Sequence, residues 1–189
     1  MYDENFEIIE SDGLVLTEMT EGAARSIASW TYGGEYAMYD FDGSREELED
    51  VMNGLHFPVY AAEGFDRNVR SIITDPVGFV AIGPAAQIRS KASETLYAKS
   101  AATDIAVGLR PDLCGKGEGL GLRLTGIAVN FVMQEFPDDG VRLSVAENNK
   151  RAIKVYEKAG FKKTGAFSAE MILASGKTKT VRFMLMELQ

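Results

Sequence analysis

The sequence predicts an α/β fold, with about six or seven strands in a sheet and helices on both faces. Three observations lead to it. Short apolar or alternating runs recur along the 189 residues, separated by stretches of helical period. One stretch, Ile105 to Gly121, reads as a strand, a glycine loop and the start of a helix. Two long alternating segments, Phe161 to Met171 and Thr180 to Leu188, flank Ser175-Gly176-Lys177 and read as a closing hairpin.

Composition sets the bounds. A chain of this length is most simply one domain, 1–189, with a sizeable core. Hydrophobic residues at 46% and charged residues at 25% suit a globular protein in water. No apolar run nears membrane-spanning length, and the acidic start Met1-Tyr2-Asp3-Glu4-Asn5 is unlike a secretion signal. The one cysteine has no partner for an internal disulfide, and there is no Cys/His cluster for zinc. The expectation is a cytoplasmic protein with no metal and no membrane contact.

The net charge of −8 hides an asymmetry. Residues 1–66 carry −14, with only Arg25 and Arg45 as cations, whereas residues 67–189 carry +6. Such drift is common on solvated faces. Its sign also suits a protein that meets a polyanion with its basic part and a cation with its acidic part. No basic stripe interleaved with aromatics points to nucleic acid.

The elements follow in order. Leu14 to Met19 alternates and reads as a strand, and Thr20 is the N-cap of a helix to about Trp30. Trp30 to Asp42 then packs five aromatics and three acids into a short stretch. Ser44-Arg45-Glu46-Glu47 is a capping box opening a helix that Gly54 ends. Phe57 to Ala62 and Val77 to Ile82 are strands. His56, the only histidine, is read as structural or surface, and residues 63–75 are polar and give no clear element. Ala85 to Ser100 is ambiguous, and Gln87 to Tyr97 within it reads as either an extended strand or a mobile loop.

Thr103 to Leu109 is the central strand. Asp104, Ala106 and Gly108 face one way, and Ile105, Val107 and Leu109 the other. Gly108 permits a bulge or a close ligand approach. Arg110-Pro111-Asp112 ends the strand, and a helix with Leu124, Ile127, Ala128 and Phe131 on one face runs to just before Pro137. Val141 to Val145 is a strand, and a further helix begins at Asn149 and closes at Gly160. Glycines between a strand and a helix start suit a phosphate, because the backbone N–H groups are free and the helix end is positive. A nucleotide P-loop is excluded, since Gly115-Lys116 is followed by Gly117. The dinucleotide fingerprint is excluded as well, since its third glycine falls on Glu118 or Leu120.

Cys114-Gly115-Lys116-Gly117-Glu118-Gly119 instead resembles the acetyl-CoA-binding motif of the GNAT N-acetyltransferase superfamily, Arg/Gln-x-x-Gly-x-Gly/Ala. Asn149 to Phe161, Asn-Lys-Arg-Ala-Ile-Lys-Val-Tyr-Glu-Lys-Ala-Gly-Phe, is similar to the family's Asn-x-x-Ala-x-x-Leu-Tyr-x-Lys-x-Gly-Phe. With its flanking strands the resemblance spans 103–167, a third of the chain.

The resemblance implies a mixed, mostly antiparallel twisted sheet. It implies that the central strand splays from the next and that pantetheine lies in the gap, bonded to the backbone of Val107, Gly108 and Leu109. The N–H groups of Gly115, Lys116, Gly117, Glu118, Gly119 and Leu120 would hold the acetyl-CoA phosphates, aided by the Lys116 side chain. Tyr156 would be the general acid near the sulfur, and Asn149 would fix CoA or the adjacent strand. An amine of pKa about 10 must also lose a proton. Where some relatives carry a glutamate this chain has Ser144, so Asp104, acting through water, is the expected base. Its other reading is a hydrogen-bonded strand carboxylate. Cys114 replaces the motif's Arg or Gln, a loss that Lys116 and Arg110 would offset. Its thiol is either reactive or a small filler.

In this family the region between the first strands forms much of the acceptor pocket. Trp30, Tyr32, Tyr36 and Tyr39 would wall it, with Glu35, Asp40 or Asp42 meeting an ammonium. The alternative is that these rings pack helix against sheet. The implied activity is acetyl transfer from acetyl-CoA to a primary amine, either a small cationic amine or a protein N-terminus as in the ribosomal-protein alanine acetyltransferases. The competing reading is a non-catalytic acyl-CoA-binding or regulatory module. A homodimer is compatible with the resemblance and is not visible in the sequence.

Overall fold

In the computed structural model, residues 8–66, 71–72, 74–99, 101–173 and 176–189 are described. The chain begins with β1 (Ile9–Ser11), β2 (Leu14–Leu16), α1 (Glu21–Ile27), α2 (Arg45–Val51) and β3 (His56–Ala61). The two-residue strands β4 (Phe65–Asp66) and β5 (Ser71–Ile72) pair only with each other. Next come β6 (Gly78–Ile82), α3 (Lys91–Tyr97), β7 (Ala102–Leu109), α4 (Leu120–Glu135) and β8 (Gly140–Ala146). The chain closes with α5 (Lys150–Lys158), β9 (Phe161–Ile172) and β10 (Thr178–Leu188). The turn expected at Ser175 falls partly outside the described residues.

The main sheet has eight strands in the order β1-β2-β3-β6-β7-β8-β10-β9. Every neighbouring pair is antiparallel except β7 and β8. The sheet exceeds the expected six or seven strands because Ile9–Ser11 pairs with Leu14–Leu16. Asp12 and Gly13, at φ 48° and 72°, form the two-residue turn between them. Asp-Gly with both residues at positive φ is a favoured hairpin connection.

Side-chain alternation sorts the two faces as the sequence suggests. Ile105, Val107 and Leu109 join the large core under α4 and α5, with Leu124, Ile127, Ala128, Phe131 and Ile153. The opposite face carries two smaller clusters. One, around Ala24, Ile27, Trp30, Val51 and Tyr60, sits under α1 and α2. The other, around Met38, Phe167, Phe183 and Leu185, lies under α3 and the 3-10 helix Gly34–Tyr39.

The helix ends follow local chemistry. Thr20 caps α1, its hydroxyl accepting from Ala23 N–H at 3.2 Å, but the helix stops at Ile27 rather than Trp30. Ser44 caps α2 through Glu47 N–H at 3.1 Å. The Glu47 carboxylate does not close the expected box. It accepts instead from the N–H groups of Asp42 and Gly43, at 2.5 and 2.9 Å. Among the described residues of the ambiguous stretch, 85–99, there is no strand, and within it lies α3, opened by a reciprocal Ser90/Ser93 box.

Candidate functional site

The site begins with a register that stops. β7 pairs with β8 from Ala102 opposite Gly140 to Ile105 opposite Leu143, and no further. On its other edge β7 stays paired with β6 through Leu109. Arg110 N–H donates to Val77 C=O at 2.9 Å. Antiparallel strands alternate between hydrogen-bonded and unbonded pairs, so Ala106 and Gly108 also bond toward β6. The N–H and C=O groups of Val107 and Leu109 therefore face the split. The Gly108 backbone does not, which removes it from the expected trio of backbone ligands. Gly108 serves another purpose: a Cβ there would lie 2.1 Å from the Phe79 ring. Its missing side chain admits a protein ring.

The glycine loop lies at the end of the split. Gly115, Gly117 and Gly119 all take left-handed φ, 77°, 77° and 70°. Alternating left-handed residues turn successive N–H groups inward into an anion-binding concavity. Gly119 caps the sixteen-residue α4 with no side-chain bond, so the first N–H groups of the helix stay open. Lys116 and Glu118 are exposed. Arg110, expected to offset the loss at Cys114, is engaged by Asp112 at 2.7 Å and by Pro76 C=O at 3.3 Å. Cys114 lies 3.6 Å from the Leu109 and Arg110 carbonyls, and burial pushes its thiol pKa up. Burial disfavours the thiolate there, which weakens the reactive reading. A second cation at the loop, besides Lys116 within it, is Arg151, in the first turn of α5, with Nη1 2.9 Å from a Cβ built on Gly115.

Tyr156 sits one and a half turns further along α5, 8% exposed, its ring edge-on to Phe161 with centroids 6.2 Å apart. Burial drives its pKa well above the ordinary tyrosine value, and the neighbouring Tyr39 adds to the shift. No fully buried polar side-chain atom among the described residues lacks a partner, and no described group bonds the Tyr156 hydroxyl. Asn149 caps α5, accepting from Ala152 N–H at 3.2 Å, and its side chain also meets the Tyr39 hydroxyl beside the Ala146 backbone.

Asp104, expected as the base, is tied into the sheet. It is 2% exposed, and Arg142 Nε and Nη2 donate to its two oxygens at 2.7 and 2.9 Å. Gln87 Nε2 donates to the same carboxylate at 2.7 Å. The Arg142 guanidinium lies 5.0 Å from the Tyr97 ring centroid, and the Tyr97 hydroxyl bonds Ser144 Oγ at 2.8 Å. The carboxylate's geometry is that of an ion pair fastening β7 to β8 just below the split. The sequence pointed to Asp104 but missed its partners. An arginine in the buried run Val141-Arg142-Leu143 was the available signal, because parallel register sets it opposite Asp104.

The aromatic segment divides. Trp30 is 5% exposed and packed in the α1–α2 core, 6.1 Å from Phe79, so it does not wall an open pocket. Phe41 and His56 lie against the same Phe79 ring, at 5.9 and 6.3 Å, and burial lowers the His56 pKa. Tyr32 and Tyr39 meet edge-on at 6.4 Å. Burial raises the Tyr32 pKa, and Cys114 and Asp40 add to it, which sets this ring beside the glycine loop. Tyr36 carries Arg151 over its face at 4.8 Å. Two of the three acids close loops: Asp40 accepts from the N–H groups of Tyr32 and Gly33, and Asp42 from Ser44 N–H. Glu35 is exposed.

Among the described residues no helix is long and apolar enough to cross a membrane, and no cluster of three metal-ligating side chains occurs. No protein-family model matches the sequence, and no curated protein matches it. Solved structures do match in three dimensions. Over 96% of this chain and 98% of the other, the fold is similar to a GNAT-family acetyltransferase from Bacillus anthracis, with a TM-score of 0.64 at 13% identity. Spermidine N-acetyltransferase from Vibrio cholerae, in complex with CoA and spermine, is covered to 95% by 93% of this chain, with a TM-score of 0.61 at 19% identity. Ribosomal-protein-S5-alanine acetyltransferase from Vibrio fischeri gives a TM-score of 0.54 at 14% identity, over 95% of each chain. The chain has the GNAT acetyltransferase fold.

Proposed function

We propose that this protein is an acetyl-CoA-dependent N-acetyltransferase acting on a primary amine, with the whole chain serving as one cytoplasmic catalytic domain. The observation that carries the reading is the split between β7 and β8, ending in a loop of left-handed glycines at the start of α4. A strand whose Val107 backbone groups and Leu109 N–H turn away from β6 toward the split suits an extended amide chain such as pantetheine, which can add to it as a strand would. The glycine loop and helix end suit the diphosphate that follows. Bound acetyl-CoA would supply the activated acyl group. Val107 and Leu109 would align it, and the Tyr156 hydroxyl would return a proton to the departing thiolate.

The acceptor is a small cationic amine or a peptide N-terminus. The net −14 of residues 1–66 and the exposed Glu35 favour a cation. Spermidine N-acetyltransferase and the S5-alanine enzyme, both of this fold, take one class each. The amine's proton leaves through water, since both oxygens of Asp104 are engaged by Arg142 and Gln87. The test is CoA-thiol release from acetyl-CoA across polyamines, aminoglycosides, amino acids and N-terminal peptides, with acetyl-CoA binding measured in parallel. Thiol release with one class of amine is the expected result. Tight binding without release from any acceptor would instead identify a regulatory acyl-CoA-binding module.

A further inference from the structure

Arg151 differs from the other cations near the glycine loop, Arg110 and the exposed Lys116, in being both without a carboxylate partner among the described residues and held beside the loop by an aromatic ring. Arg110 is paired with Asp112 at 2.7 Å, while Arg151 has no carboxylate partner among the described residues and is exposed. Its guanidinium is instead stacked 4.8 Å over the Tyr36 ring. The position is fixed by helix packing. Val155, four residues on and so on the same side of α5, lies 3.6 Å from a Cβ built on Gly121 in the first turn of α4. Arg151 then reaches the loop itself, 2.9 Å from a Cβ built on Gly115. The adjacent position, Cys114, offers no charge.

We propose that Arg151 is the cationic clamp for the diphosphate of the CoA donor, and that Tyr36 makes this clamp depend on the acceptor-side segment. The proposal rests on the donor site described above. A guanidinium can do both jobs at once. Its face stacks on an aromatic ring while its edge keeps N–H groups for two phosphate oxygens. Tyr36 lies in the 3-10 helix Gly34–Tyr39, whose Tyr39 meets Asn149 at the cap of α5. The segment expected to wall the amine site is thus fastened at two points to the helix that holds the donor. Tyr36 is a positioning residue in this arrangement. Lysine at 151 would keep the charge and lose both the stack and the fork.

The test is calorimetric titration of the full-length protein with CoA and with pantetheine, which lacks the nucleotide and its phosphates. Arg151→Gln should weaken CoA binding about 10- to 100-fold, the range for a lost charged hydrogen bond, and leave pantetheine binding unchanged. Arg151→Lys should recover only part of the loss. Tyr36→Ala should weaken CoA several-fold, and Tyr36→Phe, which keeps the ring, should not. Thermal melts check that each variant folds. Equal CoA affinity in wild type and Arg151→Gln overturns the clamp and leaves the donor site standing. A parallel loss of CoA and pantetheine makes Arg151 merely structural and overturns the clamp too. Unchanged CoA affinity in Tyr36→Ala overturns the coupling. Failure of the wild-type protein to bind CoA removes the donor site and the clamp together.

Discussion

The two sides of the split are built differently. On the donor side the glycine loop is held between an eight-residue strand and a sixteen-residue helix, and its groups are backbone N–H and C=O. On the acceptor side the stretch from Trp30 to Asp42 contains one six-residue 3-10 helix and is closed by Asp40 accepting from two N–H groups. Backbone ligands survive most side-chain changes, provided the glycines remain. An acceptor wall made of side chains changes with each substitution. Under the proposed reading, the backbone-built side would hold the donor and the side-chain-built side would set the amine.

The pair that fastens β7 to β8 gives the largest expected effect. Asp104→Ala strips the buried Arg142 guanidinium of its bidentate carboxylate and should destabilise by about 3–5 kcal/mol. Replacing both residues, Asp104→Leu with Arg142→Met, should recover much of that loss in a denaturant titration. If activity returns with stability, Asp104 is a fastening; if stability returns and activity does not, it is the base.

Tyr156→Phe tests the general acid proposed for the reaction. It should lower kcat about 100-fold, equivalent to about 2.7 kcal/mol, and leave acetyl-CoA affinity unchanged. It also has a signature in stability. Burial raises the Tyr156 pKa in the folded state, so the folded protein holds its proton more tightly than the unfolded chain. That stability is fully present below about pH 10, the unfolded value, and is lost as pH rises above it. The phenylalanine variant should therefore lose less stability than wild type above about pH 10, read as melting temperature against pH.

Much of this was legible in the sequence on the donor side and little on the acceptor side, for a physical reason. The glycines at 115, 117 and 119 and the apolar face of α4 obey local rules, so position along the chain reveals them. The fate of Trp30 depended on Phe79, 49 positions on, which no local pattern records. Asp104 was visible as a carboxylate in the central strand, but its role was set by Arg142 across the sheet and Gln87 beneath it. The helix α3 escaped because its box uses serine at both positions, where Glu or Gln is the usual signal.

Gly108→Ala joins the two sides. The new methyl would lie 2.1 Å from a Phe79 carbon, so the ring that Trp30, Phe41 and His56 surround must move. The expected cost is about 1–3 kcal/mol, the range for overpacking. Adding Phe79→Ala should cost less than the sum of the two single changes, because the clash is then gone. Strict additivity would mean that the aromatic cluster and the donor strand are independent.

The smallest effect tests whether the acceptor side can loosen by itself. Ser44→Ala removes the hydroxyl that accepts from Glu47 N–H and should cost about 1 kcal/mol. The Glu47 carboxylate keeps its bonds to the Asp42 and Gly43 N–H groups, so α2 stays attached to the end of the aromatic segment. Hydrogen exchange should therefore quicken at the amides of α2 and stay unchanged at the amides of α4. Equal quickening in both helices would mean that the two sides open as one cooperative unit. The acceptor wall could then not be altered without also loosening the donor site.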